Sequence, residues 1–238
     1  MGGRRGRCAA RPCLAAGDRA QRAPGRVDQV VAVVGADPAL AELAEDLVAA
    51  DRGRQLVLGG AHSDYDPEAI RALAAQGRLF TPKRLDALIP GEAAAFVVLT
   101  RDEVARRLGL RPSARLADLG SGVDPSRPDN DVSAFEAAGI TAAVRAATDE
   151  LAAEQLRAGW ALTDHTFELR RIHEWQAMIT RTHKIWGAPH HVDAPAQRLG
   201  HLGAAAMPFL MALAAEGWKR GAAPSAIALV LAGSDGGE

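Results

Sequence analysis

The chain has 238 residues, of which 48% are apolar and 24% charged. That is enough for one large or two small domains with a sizeable core, and it excludes a mainly disordered or collagen-like chain. The net charge of −1 leaves no chain-wide polycationic footprint for nucleic acid, and no apolar run reaches the roughly 20 residues of a membrane span.

Charge is uneven along the chain. Residues 1–26 hold seven Arg against Asp18 alone, so this stretch carries +6 and the remainder −7. It lacks the apolar run of about 7–15 residues that a secretory signal needs, and a transit peptide is Ser-rich, whereas the first serine here is Ser63. An unstructured Arg-rich tail is expected over 1–26. Cys8 and Cys13 both lie in it, and residues 14–238 contain no thiol. Two such cysteines make no disulfide framework, and the expected setting is reducing and cytoplasmic. Ala fills 51 positions, so elements are expected to pack closely on small side chains.

The β-branched run Val27 to Gly35 reads as a buried strand. Asp37-Pro38 then opens an amphipathic helix with Leu40, Leu43, Leu47 and Val48 on one face. Gln55 to Leu58 reads as a strand ending in Gly59-Gly60. Asp66-Pro67 starts a short helix to about Gln76. Glu92 to Thr100 is a third strand, and Thr100 is placed as the cap of a helix from Arg101 to about Gly109. Arg115 to Leu119 is a strand, followed by a polar loop over 120–134. One helix is expected from Gly139 to about Gln155, a strand from Trp160 to Thr163, and a helix from Glu168 to about Thr182. Residues 183–197 read as irregular, Leu202 to Trp218 as an apolar helix with Leu210, Met211 and Leu213 in the core, and Ala226 to Ala232 as a last strand. Alternating strands and helices give an α/β class with a mixed, largely buried sheet.

Several local motifs lead nowhere. The segment VVGADPALAEL lacks the spaced glycines of a dinucleotide loop. Gly120-Ser121-Gly122 lacks nucleophile-elbow spacing. Six of the seven histidines lie in 165–201, yet no pair is spaced i, i+4 and no cysteine accompanies them. No metal or other cofactor is expected on that basis.

Three segments in order carry more. They are LVLGGAHS at Leu56 to Ser63, PGEAAAFVVL at Pro90 to Leu99, and LGHLGAAA at Leu199 to Ala206. Together they resemble the β-ketoacyl-ACP synthases of the thiolase-like condensing-enzyme superfamily, over about residues 38–238 and patchily at 100–160. The motif glycines and acid are Gly59, Gly60, Gly91 and Glu92. The resemblance implies a thiolase-like layered α/β fold with mixed sheets flanked by helices, incomplete at both ends. Residues 27–238 are its domain, with about 27–100 ending the N-terminal half and 101–238 forming the C-terminal half. It implies acyl transfer and Claisen condensation on carrier-protein thioesters, in fatty acid or polyketide-type metabolism, by a dimer that partners acyl carrier protein. His201 matches the family's Gly-His motif, at the mouth of the apolar helix, and His165 falls near its second catalytic histidine. Ser234, Gly236 and Gly237 match the substrate-binding glycine loop. The match departs where the nucleophile belongs: no Cys or Ser stands at Val33 to Ala36. Ala196 takes the place of the family's lysine, and Asp235 that of its gating Phe. A thiolate is the centre of the family's covalent mechanism. The expectation is therefore a synthase-like chain without its nucleophile. The alternatives are a non-catalytic partner subunit and a malonyl-thioester decarboxylase or hydrolase that never becomes acylated. Either active reading requires His165 and His201 to face one cavity.

Overall fold

A computed structural model describes residues 30–35, 55–123 and 137–233. The Arg-rich tail, the predicted helix after Pro38, most of the 120–134 loop, and Ser234, Gly236 and Gly237 lie outside the described residues. Among them are seven strands: β1 (Val30–Gly35), β2 (Gln55–Ser63), β3 (Glu92–Thr100), β4 (Arg115–Ser121), β5 (Ala158–Thr163), β6 (Trp186–Asp193) and β7 (Ile227–Ala232). The helices are α1 (Pro67–Ala75), α2 (Asp102–Arg107), α3 (Ala138–Ala147), α4 (Asp149–Ala153), α5 (Leu169–Arg181), α6 (Ala196–Leu199) and α7 (Ala206–Lys219).

The class is α/β, as the alternation requires. Five strands form one sheet in the order β4-β1-β7-β5-β6, and every pair in it is parallel. Strands β2 and β3 form a separate antiparallel pair, in unbroken register from Gln55–Thr100 to Ser63–Glu92. Parallel and antiparallel pairing thus occupy different sheets.

Strands β5 and β7 of the large sheet bury both faces, and period two sorts their side chains. Trp160, Leu162, Ala228 and Val230 point to one side, where they meet Met207, Leu210, Met211 and Ala214 of α7. Ala161, Leu229 and Leu231 point to the other, where they meet Ala143, Val144 and Ala147 of α3, Leu151 of α4 and Met178 of α5. The far side of α7 receives Leu56 and Leu58 of β2 with Val97 and Leu99 of β3. The result is a stack of layers: the β2–β3 pair, then α7, then the five-stranded sheet, then α3 to α5. A helix between two sheets must be apolar nearly all round, and the α7 run AMPFLMALAA is.

Five expectations need correcting. Residues 186–193 are not irregular but form edge strand β6, with His190 and His191 exposed on it. The 139–155 helix breaks into α3 and α4 at Thr148, whose hydroxyl bonds back to the Val144 carbonyl at 2.7 Å; such back-bonding competes with helix continuation. Thr100 does not cap α2: the N-cap is Arg101, without a side-chain cap bond. The apolar helix begins at Ala206, not Leu202, after a 3-10 turn at Gly203–Ala205. Leu210 is fully buried, but Leu213 is 36% exposed, because it faces away from both sheets. By contrast, α1 starts as expected, with Asp66 accepting bonds from the Glu68 and Ala69 amides.

Candidate active site

Strand alternation sets up the first part of the site. Along β2, Leu56, Leu58, Gly60 and His62 face inward, and Val57, Gly59, Ala61 and Ser63 face out. His62 is the last inward residue. Asp64 follows it and is buried. Its backbone amide donates to the Gly91 carbonyl at 2.9 Å, and the Gly91 amide donates to Asp64 Oδ2 at 3.2 Å. The carboxylate is therefore fixed at the mouth of the β2–β3 pair.

His201 arrives from the other side, on the turn between α6 and α7. Its backbone amide donates to the Ile89 carbonyl at 2.8 Å, and its Nδ1 lies 3.1 Å from Asp64 Oδ2. An ionised carboxylate only accepts, so Nδ1 carries the proton and Nε2 is left with a lone pair. His62 Nε2 is 3.0 Å from Asp64 Oδ1. That approach falls outside hydrogen-bond geometry, so the buried Nε2 has no hydrogen-bond partner. The His62 and His201 rings meet edge to face, with centroids 4.6 Å apart.

Small residues permit this approach. A Cβ on Gly91 would lie 2.3 Å from the His201 carbonyl oxygen, and one on Gly60 only 2.1 Å from the Ala204 carbonyl oxygen. Gly203 adopts φ +48°, and a Cβ there would sit 2.2 Å from the His62 ring. The motif glycines thus act by letting two backbones touch. Gly59 serves packing on the outer face, where the Phe96 ring covers it. Glu92 is exposed and accepts a 2.7 Å hydrogen bond from Ser63 Oγ. Ala196, where the family has lysine, is buried. His201 does not stand at a helix start, since α7 begins five residues later.

His165 belongs to a second cluster, just past the end of β5. It stacks on Trp175 of α5 at 5.7 Å, and its Nδ1 lies 3.2 Å from Thr163 Oγ1. Burial, reinforced by the Arg171 guanidinium, pushes its pKa down to about 4. His165 is therefore neutral at ordinary pH. The His165 amide lies 3.4 Å from the same hydroxyl. Beside it, Asp164 Oδ2 accepts from the Gly233 amide at 2.9 Å, and Arg171 Nη2 donates to the Gly233 carbonyl at 3.0 Å. These bonds fix the point from which the glycine segment departs. Residues 78–91 link the two clusters: Arg78 pairs with Glu168 at 2.8 Å, and Ile89 holds the His201 backbone. The two histidines otherwise keep separate partners.

The sequence motifs include His62 without a role for it and stop one residue short of Asp64. A signal existed in His62-x-Asp64, two positions that share one side of an extended chain. His201 lies 137 residues from Asp64, beyond any local spacing rule. No family model matches the sequence, and no curated protein does either.

Proposed function

We propose that this chain is a thiolase-like relative of the β-ketoacyl-ACP synthases that cleaves acyl thioesters without forming an acyl-enzyme. The observation that carries this reading is the Asp64–His201 pair, which leaves His201 Nε2 as a base on a part-exposed ring. His201 Nε2 takes a proton from water, the water oxygen attacks the thioester carbonyl carbon, and the C–S bond breaks as the proton passes to the departing thiolate. The products are a carboxylic acid and a free thiol. His165, held neutral by burial, offers the developing oxyanion a ring N–H from its Nε2-protonated tautomer once the substrate bridges the two clusters. The layering, with an apolar helix between two sheets, supports the thiolase-like assignment. The absence of any cysteine from residues 14–238 supports the missing acyl-enzyme. On this reading the protein is cytoplasmic and its substrate is carried on acyl carrier protein. Among the described residues, no helix is long and apolar enough to cross a membrane.

The test is thiol release from malonyl- and acyl-ACP by chelator-treated protein. Release that survives His201→Ala would end the reading. Intact-mass measurement on a Cys8→Ala, Cys13→Ala background should show no acyl adduct.

A second reading, a non-catalytic subunit of a condensing-enzyme-like dimer, is favoured by the outer face of the β2–β3 pair. Val57, Phe96 and Val98 are each more than 60% exposed there. Large contiguous apolar surface marks interaction sites. A monomer at micromolar concentration, in the presence of acyl carrier protein or not, would count against it.

A further inference from the structure

We propose that His62, Asp64 and His201 bind one divalent transition-metal ion of the zinc class. One donor atom from each of the three residues lies within 4.8 Å of the others. Two imidazoles and one carboxylate suit such an ion, and three protein ligands leave a fourth position for water.

Four features of this chain's own residues favour metal over a plain hydrogen-bonded cluster. First, His62 Nε2 is buried yet makes no hydrogen bond. A buried ring nitrogen that lies 3.0 Å from a carboxylate oxygen without a hydrogen bond calls for an explanation, and a metal ion would occupy its lone pair. Second, each nitrogen lies against its own Asp64 oxygen, His62 Nε2 3.0 Å from Oδ1 and His201 Nδ1 3.1 Å from Oδ2, and one donor atom from each residue falls within a 4.8 Å span, so small side-chain rotations bring three donors to one ion. Bonds of about 2.0–2.1 Å place ligand atoms about 3.3–3.4 Å apart, which lies between the short nitrogen–oxygen separations and the 4.8 Å outer span of the donor set. Third, the ligands are held from outside. The Gly91 amide orients the Asp64 carboxylate, Gly203 seats the His62 ring, and the Ile89 carbonyl anchors the His201 backbone. Such outer partners fix ligand geometry before the ion arrives. Fourth, both ion pairs given for Asp64 among the described residues are with these two histidines, so the carboxylate already faces the other two donors.

Occupancy has a chemical consequence. A metal on His201 Nδ1 forces the ring proton onto Nε2, which turns that nitrogen from acceptor to donor. The loaded protein therefore lacks the base that the proposed thioester cleavage uses. Metal binding itself rests on the donor geometry and not on the thioester reading.

The experiment uses the full chain carrying Cys8→Ala and Cys13→Ala, so that the tail thiols do not bind metal. The stripped protein is titrated with Zn2+ against a chromogenic chelator. It is then titrated with Co2+ while the visible absorption of a low-coordinate site is followed. One ion per chain is expected, with a melting temperature that rises with metal concentration. His62→Gln and His201→Gln should each weaken affinity by at least about tenfold and remove the Co2+ absorption. His190→Ala and His191→Ala should change neither. Melting of the metal-free variants separates loss of a ligand from loss of the fold. Failure to bind one ion per chain, or binding that both Gln variants leave intact, would overturn the site. Thiol release is measured separately on stripped protein, so each idea can fail alone.

Discussion

The two histidine clusters use opposite electrostatics. Around His201 and His62 a fixed carboxylate draws two imidazoles together, and the rings remain part-exposed. Around His165, among the described residues, the ring meets a Trp face, a hydroxyl and a nearby guanidinium and no carboxylate, and it is pushed neutral. One cluster can hold or move a proton, or hold a cation. The other presents a neutral ring held by stacking. Similar side chains thus acquire different chemistry from the elements that deliver them: the strand mouth of an antiparallel pair in one case, the end of a buried parallel strand in the other.

The sharpest way to break that contrast is Asp64→Asn. The amide cannot hold the His201 tautomer as a carboxylate does, so thiol release by stripped protein should fall about 10²–10⁴-fold. The titration of His165 should stay where it is, since Asp64 is not among the causes of its shift. Nuclear magnetic resonance titration of the histidine ring protons reads both outcomes. A His165 pKa that moves with Asp64 would merge the two clusters into one electrostatic unit.

The sequence made one cluster more legible than the other. His201 and Gly91 were found through motif order, and β3, which follows Gly91, was placed at its observed ends, whereas β2 runs on through Gly59-Gly60 to Ser63 and does not end at Leu58. Asp64 had a local signal in His62-x-Asp64, but its pairing with His201 depends on a contact across 137 residues, which period and propensity cannot encode. Strand β6 was missed because WGAPHHVD reads as a loop: Gly, Pro and paired histidines on an exposed edge lack the alternating apolar residues of a core strand. The two-sheet division was equally hidden, since β2, β3 and β5 look alike as short apolar runs. What did come through was α7, whose apolar residues are too many for one face.

Leu210→Ala tests whether the clusters share a foundation. Leu210 is fully buried between the sheets, so the truncation leaves a cavity and should cost about 2–5 kcal/mol. Both clusters should remain intact in the folded fraction, because neither touches the Leu210 side chain. A melting temperature equal to that of the wild type would show that α7 is not the central layer.

A smaller effect separates the clusters by pH. His165 takes up a proton near pH 6.5 when unfolded and near pH 4 when folded. Between those values the unfolded state binds more protons, so stability is fully present above pH 6.5 and falls as pH drops toward 4. The loss is about 2 kcal/mol, allowing for the solvent that reaches the ring. His165→Gln, which cannot titrate, should flatten this slope in denaturant melts taken from pH 7 to 4. An unchanged slope would assign the acid sensitivity to other groups.

The smallest effect expected is that of Ser63→Ala, and it decides what the first cluster is for. Ser63 sits between His62 and Asp64 in sequence, which invites the idea of a serine nucleophile beside its base. Strand geometry denies it: Ser63 faces outward on β2 while His62 faces inward. The hydroxyl donates instead to Glu92 across the pair at 2.7 Å, and both residues are exposed. An exposed hydrogen bond of this kind is worth little, so the substitution should change stability by less than about 0.5 kcal/mol. Thiol release should be unchanged, because the proposed attack uses water activated at His201 on the other face. Mass spectrometry of the wild-type chain after incubation with acyl-ACP should accordingly leave the peptide bearing Ser63 unmodified. An acyl group on Ser63, together with loss of thiol release in Ser63→Ala, would make this a covalent enzyme with an unexpected nucleophile, and water would no longer be the attacking group.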